Sequence, residues 1–275
     1  MKTARNAPME KHHQERFTWR RSGEFETYNL ALGHFQVQAG LEHARGRSAL
    51  DMPCGDGALT EEFCQHFERV VGVDASAQHL ALARARLPNV EFHESLIEDV
   101  RLNERFDSIF MLNVLEHVID PATVLRKAAS LLAPGGVVIV HVPNADAINR
   151  RIAVAMGTLL TRDEMSPYDI NVAGHRRSYT LAGLIAETQA AGLRVVATGG
   201  VFYKMLSTPQ MDWLLKNGPW EEGGFGWGRV GAPGRDWRAE FCRACYEIGK
   251  ERPEDCNIVF VVAERERDER DGANA

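Results

Sequence analysis

Two glycines and two aspartates concentrate the chemistry of this chain into a short stretch. In Ala49-Leu50-Asp51-Met52-Pro53-Cys54-Gly55-Asp56-Gly57-Ala58-Leu59-Thr60 an apolar run enters a glycine turn and then residues of helical character. Gly55 and Gly57 let the backbone pass close to a bound nucleotide and adopt dihedrals closed to other residues. Asp74 stands at the tip of the next apolar run, Val70-Val71-Gly72-Val73, followed by Ala75. A carboxylate in that position can accept both hydroxyls of a ribose.

A second group lies in Gly174-His175-Arg176-Arg177-Ser178-Tyr179-Thr180. An imidazole titrates near neutrality and can serve as a base, and Arg176 and Arg177 could clamp an anionic substrate. Thr180 is placed to cap the helix that follows. Tyr168, Tyr203 and Lys204 fall near strand ends and are candidate substrate contacts. Cys242-x-x-Cys245 sits inside a helical stretch, Trp237–Lys250, with no second pair at ligand spacing, so no metal site is expected.

These residues need elements to position them. Short apolar runs alternate with helical periodicity, which predicts an α/β, doubly wound, mostly parallel sheet of seven strands. The expected strands are Ser48–Met52, Arg69–Asp74, Val90–His93, Phe106–Leu112, Gly136–Val142, Leu193–Thr198 and Cys256–Ala263. Helices are expected at Leu59–Phe67, Ala77–Arg86, Ala122–Leu132 and Leu181–Ala191. Pro121 suits the first turn of the third of these. Residues 1–46 are expected as a helical cover carrying Phe17, Trp19, Phe25 and Tyr28, and 47–265 as the main domain. Insertions at about 144–178 and 202–255 follow strand carboxyl ends, where open α/β sheets bind ligands. The second, rich in Trp and Gly, reads as a lid. Residues 266–275 are expected as a disordered tail.

Composition narrows the classes. Of 275 residues, 32 are Lys or Arg and 38 Asp or Glu, a net charge of −6, with no long basic block. Nucleic acid is therefore not the expected partner. The apolar runs stop short of the roughly 20 residues that cross a bilayer, so no membrane span is expected. The polar N-terminus lacks a signal-like region and the five cysteines are scattered, which points to the cytoplasm.

The glycine turn and Asp74 resemble the acidic-x-Gly-x-Gly-x-Gly loop and second-strand acid of the Rossmann-like S-adenosylmethionine (SAM)-dependent methyltransferases. Phe106-Asp107-Ser108-Ile109-Phe110-Met111-Leu112-Asn113-Val114-Leu115-Glu116-His117-Val118 is similar to the fourth-strand motif of ubiquinone-biosynthesis-type O-methyltransferases, and Leu131-Leu132-Ala133-Pro134-Gly135-Gly136 to the turn before their fifth strand. The resemblance implies that Asp51, Pro53, Cys54, Gly55 and Gly57 surround the methionine end of SAM. It implies that Asp74 and Ala75 meet the ribose, that Leu96, Ile97 and Glu98 flank the adenine, and that Leu112 lies near the sulfonium. Pro53 departs from the pattern, standing where the family has its first glycine, with no N–H and φ fixed near −65°. In the resembled family Glu116-His117 packs the top of the sheet. The Gly-His-Arg-Arg-x-Tyr-Thr segment is similar to sugar- and natural-product-tailoring methyltransferases, which makes His175 the candidate base.

The expected function is thus SAM-dependent methylation of an oxygen or nitrogen of a small molecule, with S-adenosylhomocysteine (SAH) as product. A catalytically silent SAM- or SAH-binding subunit is the alternative. A nicotinamide dinucleotide fits less well: its fingerprint wants a small residue where Thr60 stands, and no hydride-transfer pair is evident. The oligomeric state is open.

Overall fold

The structure, a computed structural model, describes residues 7–16, 25–220 and 236–266. The apolar runs form seven strands of one sheet: β1 (Ser48–Asp51), β2 (Arg69–Asp74), β3 (Glu91–Glu94), β4 (Phe106–Leu112), β5 (Leu132–Pro143), β6 (Leu193–Tyr203) and β7 (Cys256–Arg265). Their spatial order is β3-β2-β1-β4-β5-β7-β6. β3, β2, β1, β4 and β5 pair in parallel. β7 runs antiparallel to both β5 and β6. β6 therefore points the same way as β5, and its carboxyl end reaches the edge where β1, β2 and β4 also end.

Side chains alternate across a strand, and here both faces are covered. Ile109 and Met111 of β4 face one core with Leu50, Val71 and Val140. That core is closed by Leu125 and Ala128 of α5 (Pro121–Leu131) and Leu184 of α7 (Leu181–Ala190). Phe110 and Leu112 face the other, with Ala49, Val70, Ile139 and Val201. It is closed by Val37 of α2 (Glu26–Leu41), Phe63 of α3 (Ala58–Phe63), Met211 and Leu215 of α8 (Thr208–Asn217) and Tyr246 of α9 (Trp237–Glu251). Burial on both sides is why these strands read as continuous apolar runs.

Helix starts follow side-chain chemistry. Ser76 caps α4 (Ala77–Arg86), Asp120 caps α5 with Pro121 in its first turn, and Thr180 caps α7 by accepting the Gly183 N–H. Ser207 and Gln210 form a reciprocal capping box on α8.

Several boundaries differ from expectation. β5 starts at Leu132, because the Ala133–Gly136 segment is taken up as a bulge between the Phe106–Leu132 and Ser108–Val137 pairs. β6 runs on through Gly199 and Gly200 to Tyr203; these glycines are close approaches, not a turn, and a Cβ on Gly199 would come within 2.4 Å of the Phe260 ring. α3 stops at Phe63. β7 extends to Arg265, and Glu264 pairs with Arg45 at 2.9 Å and also with Arg194. In the second insertion the described residues form α8, where a loop was expected, and α9, which matches the helical stretch read at Trp237–Lys250, with the Trp220 ring on Phe241 at 5.2 Å. The Glu221–Gly228 run, Phe17, Trp19 and residues 267–275 lie outside the described residues. The first insertion folds as α6 (Ile148–Ala155) and one π-helical turn, Asp169–Ala173. At the N-terminus stand α1 (Ala7–Arg16) and α2. Among the described residues no helix is long and apolar enough to cross a membrane.

Phe110 anchors the second core: fully buried, it stacks on Phe63 at 4.0 Å and meets Phe67 edge-on at 5.8 Å. Phe110→Ala should cost about 3–5 kcal/mol, the transfer loss plus an unfilled cavity. A urea melt should show a lower midpoint with an unchanged slope.

Candidate functional site

The β1 turn and the end of β2 are joined directly. Gly55 N–H donates to Asp74 Oδ2 at 3.0 Å, and Ser76 N–H donates to Oδ1 at 2.8 Å. Gly55 has φ 54° and its Cβ position faces open space, so this residue leaves room beside the carboxylate. Gly57, at φ 79°, instead lies against α4, where a Cβ would sit 3.1 Å from Ala83. Asp51, 2% exposed, accepts a hydrogen bond from Thr60 Oγ1 at 2.7 Å. Burial pushes its pKa up to about 7 against that bond, and the nearby charge of Asp74 adds to the rise. Two carboxyl groups thus share one corner.

That corner opens into a cavity of about 650 Å³ along the carboxyl edge of the sheet. Asp51, Pro53, Cys54, Gly55, Asp74 and Ala75 line one end. Leu96, Ile97 and Glu98 line it from the loop and 3-10 turn after β3, and Leu112 from the end of β4. All of these were singled out in the sequence, and apart from Gly57 the predicted cofactor-contact residues all reach the cavity wall.

The far end is polar. His175 and His117 face each other with ring centres 5.0 Å apart. Burial lowers both pKa values, that of His117 to about 3, with His175 reinforcing the shift, so both rings are neutral at pH 7. His175 Nδ1 lies 3.8 Å from Asp169 Oδ1. Glu116 is 1% exposed, and burial raises its pKa to about 8. One ligand atom from each of Glu116, His117 and His175 lies within 4.8 Å of the others, an arrangement with the donor set to hold a metal ion. His117 therefore lines the cavity beside His175 rather than merely packing the top of the sheet. The Cys242 and Cys245 thiols of α9 are free, and burial raises both.

The two arginines drawn from the sequence part company: Arg177 lines the cavity and Arg176 does not. Arg177 Nη1 donates to the carbonyls of Leu115 at 2.5 Å and Val118 at 2.6 Å, and Nη2 to that of Ile119 at 3.2 Å, so its guanidinium pins the segment after β4. Arg176 pairs with Glu10 of α1 at 2.9 Å and is not part of the cavity wall. Tyr203 is held in the sheet opposite Cys256, while Tyr168 does reach the wall and meets Phe25 edge-on at 5.6 Å. Sequence reasoning missed the pair Gln36 and Asn113, whose amides exchange hydrogen bonds at 3.2 and 3.0 Å. Asn113 has φ 54°, a conformation Asn tolerates better than most residues; an Asn directly after a strand was the available signal. Arg150 and Asp169, joined at 3.1 Å, also line the wall.

A methyltransferase-domain family model matches residues 25–198. A ubiquinone biosynthesis O-methyltransferase of Neisseria meningitidis serogroup C is 32% identical over 202 residues, covering 69% of this chain and 82% of that protein. One from Aeromonas salmonicida is 30% identical over 169 residues, covering 59% and 69%. Among solved structures, a SAM-dependent methyltransferase of Thermotoga maritima aligns with a TM-score of 0.62 at 16% identity, over 94% of this chain and all of that one. One from Mesorhizobium loti aligns with a TM-score of 0.52 at 17% identity, covering 83% and 95%. The seven-stranded sheet, the matched domain and these relatives together make the chain a member of the SAM-dependent methyltransferases, in the O-methyltransferase family that includes the ubiquinone biosynthesis enzymes.

Proposed function

We propose that this methyltransferase passes the methyl group to a hydroxyl of a small, polar molecule of the sugar or natural-product kind, and that it does so in the cytoplasm. The observation that carries the reading is the Asp74–Gly55 contact at the mouth of a cavity whose far end holds neutral histidines. All five cysteines are free, which suits a reducing compartment.

SAM supplies a methyl carbon already activated by its sulfonium, so the chain chiefly has to orient an in-line attack and exclude water. In this reading Asp74 accepts the ribose hydroxyls, and Gly55 leaves space for the amino-acid end. Asp51, a buried carboxylate whose hydrogen bond comes from a neutral hydroxyl, suits a cationic ammonium. Leu112 gives an apolar wall near the reacting carbon. His175, neutral and lining the cavity, takes the acceptor's hydroxyl proton at a ring nitrogen.

Three measurements test this. Calorimetric titration should give Asp74→Ala a loss of about 2 kcal/mol in SAM affinity, roughly thirtyfold, from lost charge-assisted hydrogen bonds; unchanged affinity overturns the reading. Asp51, with a pKa near 7 in the free protein, must ionise to meet an ammonium, which in turn lowers that pKa. SAM affinity should therefore fall as pH drops below about 7 and level off above it, and Asp51→Asn should abolish this dependence. Once a panel of labelled-methyl transfers to phenols, sugars and other alcohols identifies an acceptor, His175→Gln should cut turnover about a hundredfold or more while SAM binding persists.

A further inference from the structure

We propose that Lys204 forms an oxyanion subsite of the acceptor pocket, receiving a carboxylate or phosphate group of the molecule to be methylated. The inference rests on the reading of this cavity as a methyl-transfer site. Lys204 directly follows β6, so that strand delivers it to the carboxyl edge of the sheet, three strands across from β4. It lines the cavity at only 2% exposure. Its Nζ donates to Thr208 Oγ1 at 3.0 Å and stands 4.6 Å from the centre of the Tyr28 ring. A hydroxyl and a ring face are neutral partners, and an ammonium has three donors. Lysines are almost never fully buried unless paired.

Among the described residues no carboxylate makes a direct ion pair with Lys204, and Asp169 acts on it only through space. Of the groups facing it from the packed elements, Asp169 of the π-helical turn and Arg150 of α6 are the charged ones, while Tyr28 of α2 and Thr208 of α8 are neutral. Asp169 Oδ2 is already engaged: it accepts from Arg150 Nη1 at 3.1 Å, from Ser166 N–H at 2.8 Å and from Ser166 Oγ at 2.9 Å. Asp212 of α8 accepts the Tyr28 N–H at 3.0 Å and pairs with Lys216 at 2.7 Å. Arg150 and Asp169 are thus paired with each other, and Lys204, when protonated, adds positive charge at this end, whose wall also carries Arg177 and Glu10. Asp51 and Asp74 supply negative charge at the other. A cationic donor at the acidic end and an anionic acceptor at the basic end is the orientation this polarity favours. Burial pulls the Lys204 pKa down to about 7, with Asp169 opposing and Arg150 reinforcing the shift. An arriving anion restores the charged form, so binding near neutrality draws a proton onto Nζ.

The test is calorimetric titration of SAH-saturated protein with benzoate, phenyl phosphate and the neutral isostere benzamide, at pH 7.5 in two buffers of different ionisation enthalpy. At least one anion should bind about tenfold or more tightly than benzamide, as a charge-assisted hydrogen bond requires, with measurable proton uptake. Which anion binds better identifies the oxyanion. Lys204→Met should lose both the preference and the uptake. Lys204→Arg, charged throughout, should keep the preference and lose the uptake. Equal affinity for benzamide and both anions, absence of anion binding, a preference that survives in Lys204→Met, or wild-type uptake in Lys204→Arg would each overturn the subsite. SAH affinity is measured for every variant: wild-type protein that fails to bind SAH counts against the methyltransferase reading, whereas SAH binding without anion preference counts against Lys204 alone. Should Lys204→Met not fold, Lys204→Arg decides through its proton uptake.

Discussion

A carboxylate oxygen at the end of β2 accepts an N–H from the turn after β1, and most of the site is arranged around that bond. The Asp74–Gly55 contact needs two parallel strands side by side, a left-handed residue without a Cβ in the first turn, and a second donor, Ser76 N–H, on the other oxygen. Once made, it fixes where α3 and α4 begin and leaves a gap against which Leu96 to Glu98 close. It also brings Asp74 near Asp51, two acidic groups in one poorly solvated corner. A desolvated carboxyl beside a like charge is uncomfortable ionised, and the His79 ring stands 3.5 Å from Asp74 Oδ1 at the same corner. The candidate site thus gathers its ionisable groups where little solvent reaches them.

The same principle operates at the opposite end with different residues. Arg177 holds three backbone carbonyls of the segment after β4 and thereby sets where Glu116 and His117 stand. Gln36 of α2 holds Asn113 in its left-handed conformation. Helices α1 and α2, the first insertion and α8 all contribute wall residues, so the histidine end of the cavity is assembled from parts remote in the chain while the Asp51–Asp74 end is assembled largely from one strand-turn-strand unit.

That contrast explains what was legible in the sequence. The Asp51–Asp74 end is local: Asp51, Gly55 and Asp74 are related by turn chemistry and strand ends, and the continuous apolar runs betray strands covered on both faces. The rest of the cavity depends on pairs such as Gln36 and Asn113, 77 positions apart, whose pairing no local pattern announces. Arg177 reads as a substrate clamp because a guanidinium suits anions, yet backbone carbonyls left over at a chain turn suit it as well. The sixth strand reads as ending at Thr198, whereas it continues through Gly199 and Gly200, which admit the Phe260 ring and the Pro253 backbone. Trp and Gly in the second insertion suggest a loop, but Ser207 starts α8 by capping it, whereas the helix that Asp236 caps is legible from Trp237 on.

The pairing of Tyr203 with Cys256 shows where the second insertion hangs: the chain leaves the sheet and comes back at neighbouring, antiparallel positions. In topological terms the whole excursion is an enlarged hairpin connection, and the entropy of closing such a connection grows only logarithmically with its length. The same excursion supplies Met211, Leu215 and Tyr246 to the second core and Ser207 and Thr208 to the cavity wall, so its helices serve both the packing of the sheet and the shape of the cavity. A change in this one connection would therefore be felt at once in the core beneath it and in the cavity beside it.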